Sequence, residues 1–212
     1  MQSVIDSIDY PPTHTYQLNP LKPAGILAER VAVIERIAPK LFKGESFLDV
    51  GANKGYFTLR AAEKCERVWA VEPDLACCKL LHGIMRKNTS LTYGTFADFC
   101  EAVQGIQADT FDRIFIGNGP HYLFREAGGW GWVHKLAELA TDLVVIEGPT
   151  GMNCQDMHKC IPADLQSEFN RGAMTAAMGL YFDLEERVPS PSYTPDRYVM
   201  RYRKTKDEHW MS

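Results

Sequence analysis

The sequence predicts an α/β fold with a mostly parallel sheet, and two observations support this prediction. Short apolar segments alternate with helical segments through residues 24–149, which is the rhythm of βαβ units. Near the C-terminus, the alternating segments YFDLEERVP and RYVMRYRK are separated only by SPSYTPD. Because this connection is too short for a crossover helix, the last two strands are predicted to form an antiparallel hairpin.

The first helix is predicted from Ala24 to Phe42. Its apolar residues recur at intervals of three and four, which indicates one buried stripe. They are Leu27, Val31, Ile34, Ile37 and Leu41. Gly44 then interrupts the pattern and ends the helix.

Further strands and helices follow in alternation after this first helix. The predicted strands are SFLDVGA, RVWAVEP, LTYGTF, FDRIFIGN and DLVVIEGP, and the predicted helices are Tyr56–Lys64, Asp74–Lys87 and Trp132–Ala140. Asp74 is expected to cap its helix at the N-terminus. The strands are apolar enough to be covered by helices on both faces of the sheet.

The length and composition favour one domain. We expect residues 24–212 to form it, since 212 residues with 45% hydrophobic composition suffice for one sizeable core. Residues 1–23 contain four prolines and are expected to form an irregular arm that could close over a substrate.

The overall charge and the absence of long apolar runs exclude several classes of protein. A net charge of −4 argues against a nucleic acid as the main partner. The basic cluster near the C-terminus is interpreted as the solvated face of a strand, and it consists of Arg201, Arg203, Lys204 and Lys206. No apolar run reaches the length of a membrane span. The six cysteines lack paired spacing, so we expect free thiols and a cytoplasmic protein.

The segment FLDVGANKGYFTL carries the strongest functional signal. A strand runs into a turn in which Gly51 and Gly55 let the backbone approach a ligand, and Asn53 is among the residues that tolerate positive φ. Glu72 stands at the end of the next strand, where a carboxylate can accept hydrogen bonds from both ribose hydroxyls. Together these features predict a nucleoside-containing cofactor.

A nicotinamide dinucleotide does not fit this turn. The stretch from Gly51 to Gly55 lacks the G-x-G-x-x-G spacing that seats a pyrophosphate. DVGANKGYFT followed by AVEPD instead resembles motif I and the acidic strand end of class I S-adenosylmethionine-dependent methyltransferases. That resemblance implies a Rossmann-like, seven-stranded sheet with a C-terminal antiparallel hairpin.

The resemblance also implies roles for individual residues. Asp49 would hold the methionine amino group, Glu72 would bind the ribose, and Pro73 and Asp74 would flank the adenine. Thr95 stands where the family often has an acidic residue, which leaves the adenine contact to stacking by Phe96. The cofactor-binding residues implied are Asp49, Gly51, Ala52, Asn53, Gly55, Glu72, Pro73, Asp74, Thr95, Phe96, Gly117 and Asn118.

Within this class, VGANKGYFTL and VEPD are most similar to the FkbM-type methyltransferases, which methylate hydroxyls of sugars and related natural products. The D-x-E-G element of those proteins is replaced here by FIGNGPHYLF. The resemblance implies an O-methyltransferase acting on a sugar or glycan. The open alternatives are a small metabolite or an RNA end as the acceptor, or a cofactor-binding module without catalysis.

The acceptor is expected beyond the carboxyl ends of the fourth and fifth strands. His121 and Glu147 are the candidate bases, although a loop histidine with local hydrogen bonds and a mere strand-end carboxylate are the plainer interpretations. Tyr122 and Arg125 are candidates for binding the acceptor. Trp130 and Trp132 could form a substrate wall or simply pack the loop.

Metal sites are not favoured by the sequence. Asn118, Glu147, Asn153 and Asp156 could offer oxygen ligands to a divalent cation, but they contain no convincing pair of carboxylates. Cys154, His158 and Cys160 provide only three zinc ligands. We therefore expect S-adenosylmethionine as the cofactor and no metal.

Overall fold

The computed structural model describes residues 25–103, 110–153, 157–191 and 196–205. The expected arm at residues 1–23 lies outside the described residues. So do three residues named above, which are Cys154, Asp156 and Lys206.

Strands and helices alternate through most of the chain. The helices are α1 (Ile26–Ile37), α2 (Tyr56–Ala62), α3 (Leu75–Ile84), α4 (Phe96–Val103), α5 (Pro120–Glu126), α6 (Trp132–Leu139), α7 (Met157–Cys160) and α8 (Arg171–Gly179). The strands are β1 (Gly44–Val50), β2 (Cys65–Glu72), β3 (Thr89–Tyr93), β4 (Phe111–Gly117), β5 (Ala140–Pro149), β6 (Phe182–Pro189) and β7 (Arg197–Lys204). A 3₁₀ turn spans Ala163–Leu165.

The strands form one seven-stranded sheet in the order β3-β2-β1-β4-β5-β7-β6. Strands β1 to β5 pair in parallel, whereas β7 lies antiparallel between β5 and β6. The predicted parallel sheet with a C-terminal antiparallel hairpin is confirmed. The order reverses between β1 and β4, which is the point where open α/β sheets bind ligands.

Helices cover the sheet on both faces. Ile114 and Ile116 of β4 pack in a core with α4, α6 and α8. Phe115, between them, packs in a second core with α1 and α2. The apolar runs of the parallel strands therefore reflect burial on two sides, as predicted.

The first helix is shorter than its apolar pattern predicts. It ends at Ile37, because Ala38 precedes Pro39 and adopts φ −132° and ψ 64°, outside the helical region that proline disfavours for the preceding residue. Leu41 is nonetheless fully buried. The predicted end at Phe42 was wrong, while the buried stripe was right.

The predicted strand LTYGTF was also too long. Strand β3 ends at Tyr93 and α4 begins at Phe96. Thr95 and Asp98 bond to each other across the first turn, since the Thr95 amide donates to Asp98 Oδ2 at 2.7 Å and the Asp98 amide to Thr95 Oγ1 at 3.1 Å. This reciprocal capping starts a helix where the apolar residues alone indicated a strand.

The segment after β4, whose glycines favour a loop, contains helix α5. Pro120 occupies the first turn of this helix, a position that favours proline because its missing N–H would have no partner there. Asn118 precedes the helix with φ +56°. Tyr122 and Arg125 consequently lie on a helix rather than on a loop.

Candidate functional site

A cavity of about 460 Å³ opens at the carboxyl ends of β1, β2 and β4, which is a size typical of small-molecule sites. Nine of the predicted cofactor residues line it: Gly51, Asn53, Glu72, Pro73, Asp74, Thr95, Phe96, Gly117 and Asn118. The predicted acceptor residues Tyr122 and Arg125 line it as well. Its wall also includes residues that were not predicted, namely Val50, Val71, Gly94, Gly119, Leu123 and Glu126.

Glu72 lines the cavity. Only 5% of the residue is exposed. Its Oε2 accepts the Asn53 amide at 2.7 Å and its Oε1 accepts the Asp74 amide at 2.8 Å. Burial raises its pKa, and the two amides oppose this effect. Because each carboxylate oxygen can accept two hydrogen bonds, both oxygens keep a position for a ligand hydroxyl.

The glycine turn holds the backbone against the cavity. Gly51 has φ +77° and Asn53 has φ +54°, conformations that suit glycine and asparagine. Gly55, at φ +88°, does not line the cavity. A Cβ there would lie 2.3 Å from Leu81 Cδ1, so packing against α3 requires this glycine. Ala52 also lies outside the cavity lining and packs against α3.

Asp49 lies behind the turn and does not line the cavity. The residue is 1% exposed and accepts a hydrogen bond from Thr58 Oγ1 at 2.6 Å. Burial raises its pKa to about 7. Thr58 was missed in the sequence, and its position two residues into α2 is the only local signal for it.

Helix α5 forms the wall opposite the glycine turn. Tyr122 and Arg125 are one turn apart, and the Arg125 guanidinium lies 5.3 Å from the centre of the Tyr122 ring. This stacking fixes the cation over an aromatic face. Leu123 and Glu126 complete the wall, and the proline at the start of α5 could have predicted the helix that brings them there.

His121 lies in α5 but does not line the cavity. It is 3% exposed, and its Nδ1 has no hydrogen-bond partner among the described residues. Burial, together with Arg197 and Arg125, lowers its pKa to about 3. The imidazole is therefore neutral at neutral pH, and its low pKa makes it a weak base.

Glu147 lies outside the cavity lining, in a buried polar cluster. We call Arg30, Asn118, Glu147, Ser190 and Arg197 the strand-end cluster. The Glu147 carboxylate pairs with Arg30 and accepts from Ser190 Oγ at 2.7 Å and Arg197 Nη2 at 3.4 Å. Burial alone would raise its pKa, but the two arginines and the serine leave the pKa below its ordinary value.

The strand-end cluster reaches the cavity through Asn118. Arg197 Nη2 donates to Asn118 Oδ1 at 2.6 Å. Because the Asn118 amide oxygen accepts this bond, the N–H₂ group of the same amide points in a different direction. Glu147 thereby orients Arg197, and Arg197 orients a residue in the cavity wall.

The two tryptophans predicted as a substrate wall pack against other side chains of the protein. Trp130 stacks on Phe169 with ring centres 5.8 Å apart, and its Nε1 donates to the Glu168 carbonyl. Trp132 is 3% exposed and belongs to the core with α4 and α8. Neither lines the cavity, so the plainer interpretation of loop packing fits these positions.

Metal ligands do not come together in the part of the chain that the structure describes. Among those residues, no group of three or more His, Cys, Asp or Glu side chains could hold a metal ion. Asn153 donates to Asp196 Oδ2 at 2.7 Å, and His158 pairs with Gln166.

No helix within the described residues is long and apolar enough to cross a membrane.

Solved structures share this architecture. The N-methyltransferase NodS from Bradyrhizobium japonicum WM9, in complex with S-adenosyl-L-homocysteine, matches with a TM-score of 0.66 and 15% identity over 97% of this chain and 98% of NodS. This chain has the class I methyltransferase fold. Magnesium protoporphyrin IX methyltransferase from Synechocystis PCC 6803, with bound S-adenosylmethionine, matches with a TM-score of 0.62 and 9% identity over 92% of each chain.

Sequence comparisons do not identify a family for this chain. No protein-family profile matches the chain, and no curated protein matches it. The FkbM-type subfamily that the glycine turn resembles is therefore not confirmed.

Proposed function

We propose that this protein is a methyltransferase that uses S-adenosylmethionine and transfers the methyl group to a hydroxyl of a sugar or glycan. The observation that supports the cofactor is the Glu72 carboxylate, fixed by two backbone amides with both oxygens still able to accept. A ribose presents two neighbouring hydroxyl donors to such a group.

The residues of the cavity fit the cofactor. Glu72 would hold the ribose, Pro73 and Phe96 would contact the base, and the backbone at Gly51 and Gly117 would lie along the methionine part. When bound, S-adenosylmethionine supplies an electrophilic methyl group on a sulfonium. Asp49 would interact with the methionine amino group of the cofactor from behind the glycine turn.

On the acceptor side, the chain would act mainly by positioning. Methyl transfer is an in-line displacement, so alignment of the acceptor supplies much of the rate. Asn118, held by Arg197, offers N–H donors to an acceptor oxygen. The Tyr122 ring offers an apolar face that suits a sugar ring. The roles of His121 and Glu147 in proton removal stay predictions, and the burial and ion pairs of Glu147 favour orientation of Arg197 instead.

Binding of S-adenosylhomocysteine tests the cofactor. We expect calorimetry to give a clear affinity for the wild type and a loss of about a hundredfold for Glu72→Ala, since hydrogen bonds to a charged group contribute about 1.5–3 kcal/mol. Glu66→Ala is the matched control, because Glu66 is an exposed carboxylate on the same strand. Equal affinity of wild type and Glu72→Ala would contradict the proposal, provided both variants give native circular dichroism.

Transfer of a labelled methyl group tests the acceptor. Purified protein is incubated with labelled S-adenosylmethionine and separate panels of sugars and glycans, small metabolites and RNA. Label in the sugar panel supports the proposal, and label only in another panel replaces the acceptor. Tight cofactor binding without transfer to any panel would favour a non-catalytic module.

His121→Ala separates catalysis from cofactor binding in the same assay. Affinity for S-adenosylhomocysteine is expected to stay unchanged, because His121 does not line the cavity, and turnover is expected to fall only if His121 is the base. Equal losses of affinity and turnover would show that His121 supports the cofactor cavity instead.

A further inference from the structure

The positions of the strand ends around Glu72 distinguish the two ends of the cavity. In the sheet order, β3 lies beside β2, and the Gly94 amide after β3 donates to the Glu72 carbonyl at 3.1 Å. The glycine turn after β1 lies on the other side of Glu72. With a ribose on Glu72, one end of the ligand lies toward Gly51 and Asn118, and the other toward Gly94, Thr95 and Phe96. We call the latter the base end.

The polar side chains of two residues at the base end are already engaged. Thr95 Oγ1 donates to Asp98 Oδ2 at 2.8 Å and accepts from the Asp98 amide at 3.1 Å. Asp74 Oδ1 accepts the Cys77 amide at 2.8 Å and caps α3. Both side chains therefore serve helix starts.

Glu126 approaches the base end from the opposite wall. Leu123, one turn earlier on α5, packs in the same buried core as Phe96 and Phe99 of α4. Residues three apart on a helix share a face, so Glu126 lies on the side of α5 that meets α4. Burial raises the pKa of Glu126, the neighbouring Arg125 lowers it, and the Asp98 carboxylate raises it by a smaller amount, so Asp98 lies near Glu126. No hydrogen bond from any described residue reaches its carboxylate.

We propose that Glu126 selects the adenine base by accepting a hydrogen bond from its exocyclic amino group. This inference rests on the proposed cofactor and assigns the base contact to a residue on α5 rather than to the β3 end. An amino group donates two hydrogens and matches a carboxylate. Glu126 is exposed, so an entering base can reach its carboxylate.

Two ligands that differ only in that amino group test the proposal. The first is S-adenosylhomocysteine, and the second is its analogue in which unsubstituted purine replaces adenine. Calorimetry on the wild type is expected to show about tenfold weaker binding of the purine analogue, the value for loss of one hydrogen bond to a charged group. Glu126→Ala is expected to bind both ligands equally.

Two control variants make the outcome specific. Glu101→Ala removes an exposed carboxylate from α4 and is expected to keep the wild-type preference. Glu126→Gln keeps one acceptor oxygen and is expected to retain part of the preference. If Glu126→Ala discriminates as well as the wild type does, Glu126 does not read the amino group. If the wild type binds neither ligand, the proposed cofactor itself is wrong.

Discussion

The carboxylates at the ends of β2 and β5 differ in how they are held. Glu72, which lines the cavity, is fixed by the amides of Asn53 and Asp74, which are 19 and 2 residues away in the chain. Glu147, which lies outside the cavity lining, is fixed by Arg30, which is 117 residues away, and by Arg197, which is 50 residues away. The first carboxylate is held by neighbouring turns, and the second is held by distant elements.

This difference explains which side chains point into the cavity. Backbone amides that hold Glu72 leave its oxygens able to accept more hydrogen bonds. The Glu147 carboxylate is fully buried, and the two arginines and the serine occupy its oxygens. A strand-end carboxylate therefore becomes a binding group or a structural one according to its partners, even though both stand at the same edge of the sheet.

The largest expected effect is on the strand-end cluster. Glu147→Gln removes the buried negative charge that Arg30 and Arg197 share, and loss of one partner from a buried ion pair costs about 3–5 kcal/mol. We expect urea denaturation to show a decrease of that size in the free energy of unfolding.

Asp142→Asn is the matched control on the same strand. Asp142 pairs with Arg113 and Arg203, but its side chain is 34% exposed. Partly exposed pairs contribute less than about 1 kcal/mol, so this variant should lose little stability. Similar losses in both variants would mean that burial does not distinguish the two carboxylates.

A second expected effect concerns His121 in acid. Its pKa is about 3 in the folded protein and about 6.5 in an unfolded chain. Between these values only the unfolded chain binds the proton, so stability falls as the pH falls below about 6.5, by about 2 kcal/mol at about pH 5. His121→Asn is expected to lose less stability over that range. An imidazole that titrates near its ordinary pKa in NMR spectra would contradict the buried, neutral state.

The smallest expected effect concerns Asp49. Its pKa of about 7 means that the carboxylate ionises as the pH rises through neutrality. The cofactor's ammonium group prefers the ionised form, so affinity for S-adenosylhomocysteine should rise up to about tenfold between about pH 6 and pH 8. Asp49→Asn should remove this dependence. Thr58→Val should move it to higher pH, because the Thr58 hydroxyl stabilises the ionised form. An unchanged pH profile in Asp49→Asn would show that another group titrates.

Local signals predicted the fold and most of the predicted residues that line the cavity. The apolar strands, the cap at Asp74 and the turn at Gly51 depend on residues close in sequence, and Asp74 caps α3 as expected. Capping at Thr95 and Asp98 was missed because the apolar residues around it fit a strand equally well.

The strand-end cluster could not be predicted in the same way. Pairing of Glu147 with Arg30 and Arg197 depends on how α1 and β7 pack against β5, and no spacing in the sequence encodes that packing. The tryptophans at 130 and 132 illustrate the same limit, since burial rather than residue type decides whether an aromatic ring lines a site.

The most direct measurement is a crystal structure of the protein with S-adenosylhomocysteine. We expect the two ribose hydroxyls to lie within hydrogen-bonding distance of the Glu72 oxygens, with the homocysteine part along residues 51–55. A ligand bound elsewhere, or no ligand density between Glu72 and the glycine turn at saturating concentration, would contradict the assignment of this cavity to the cofactor.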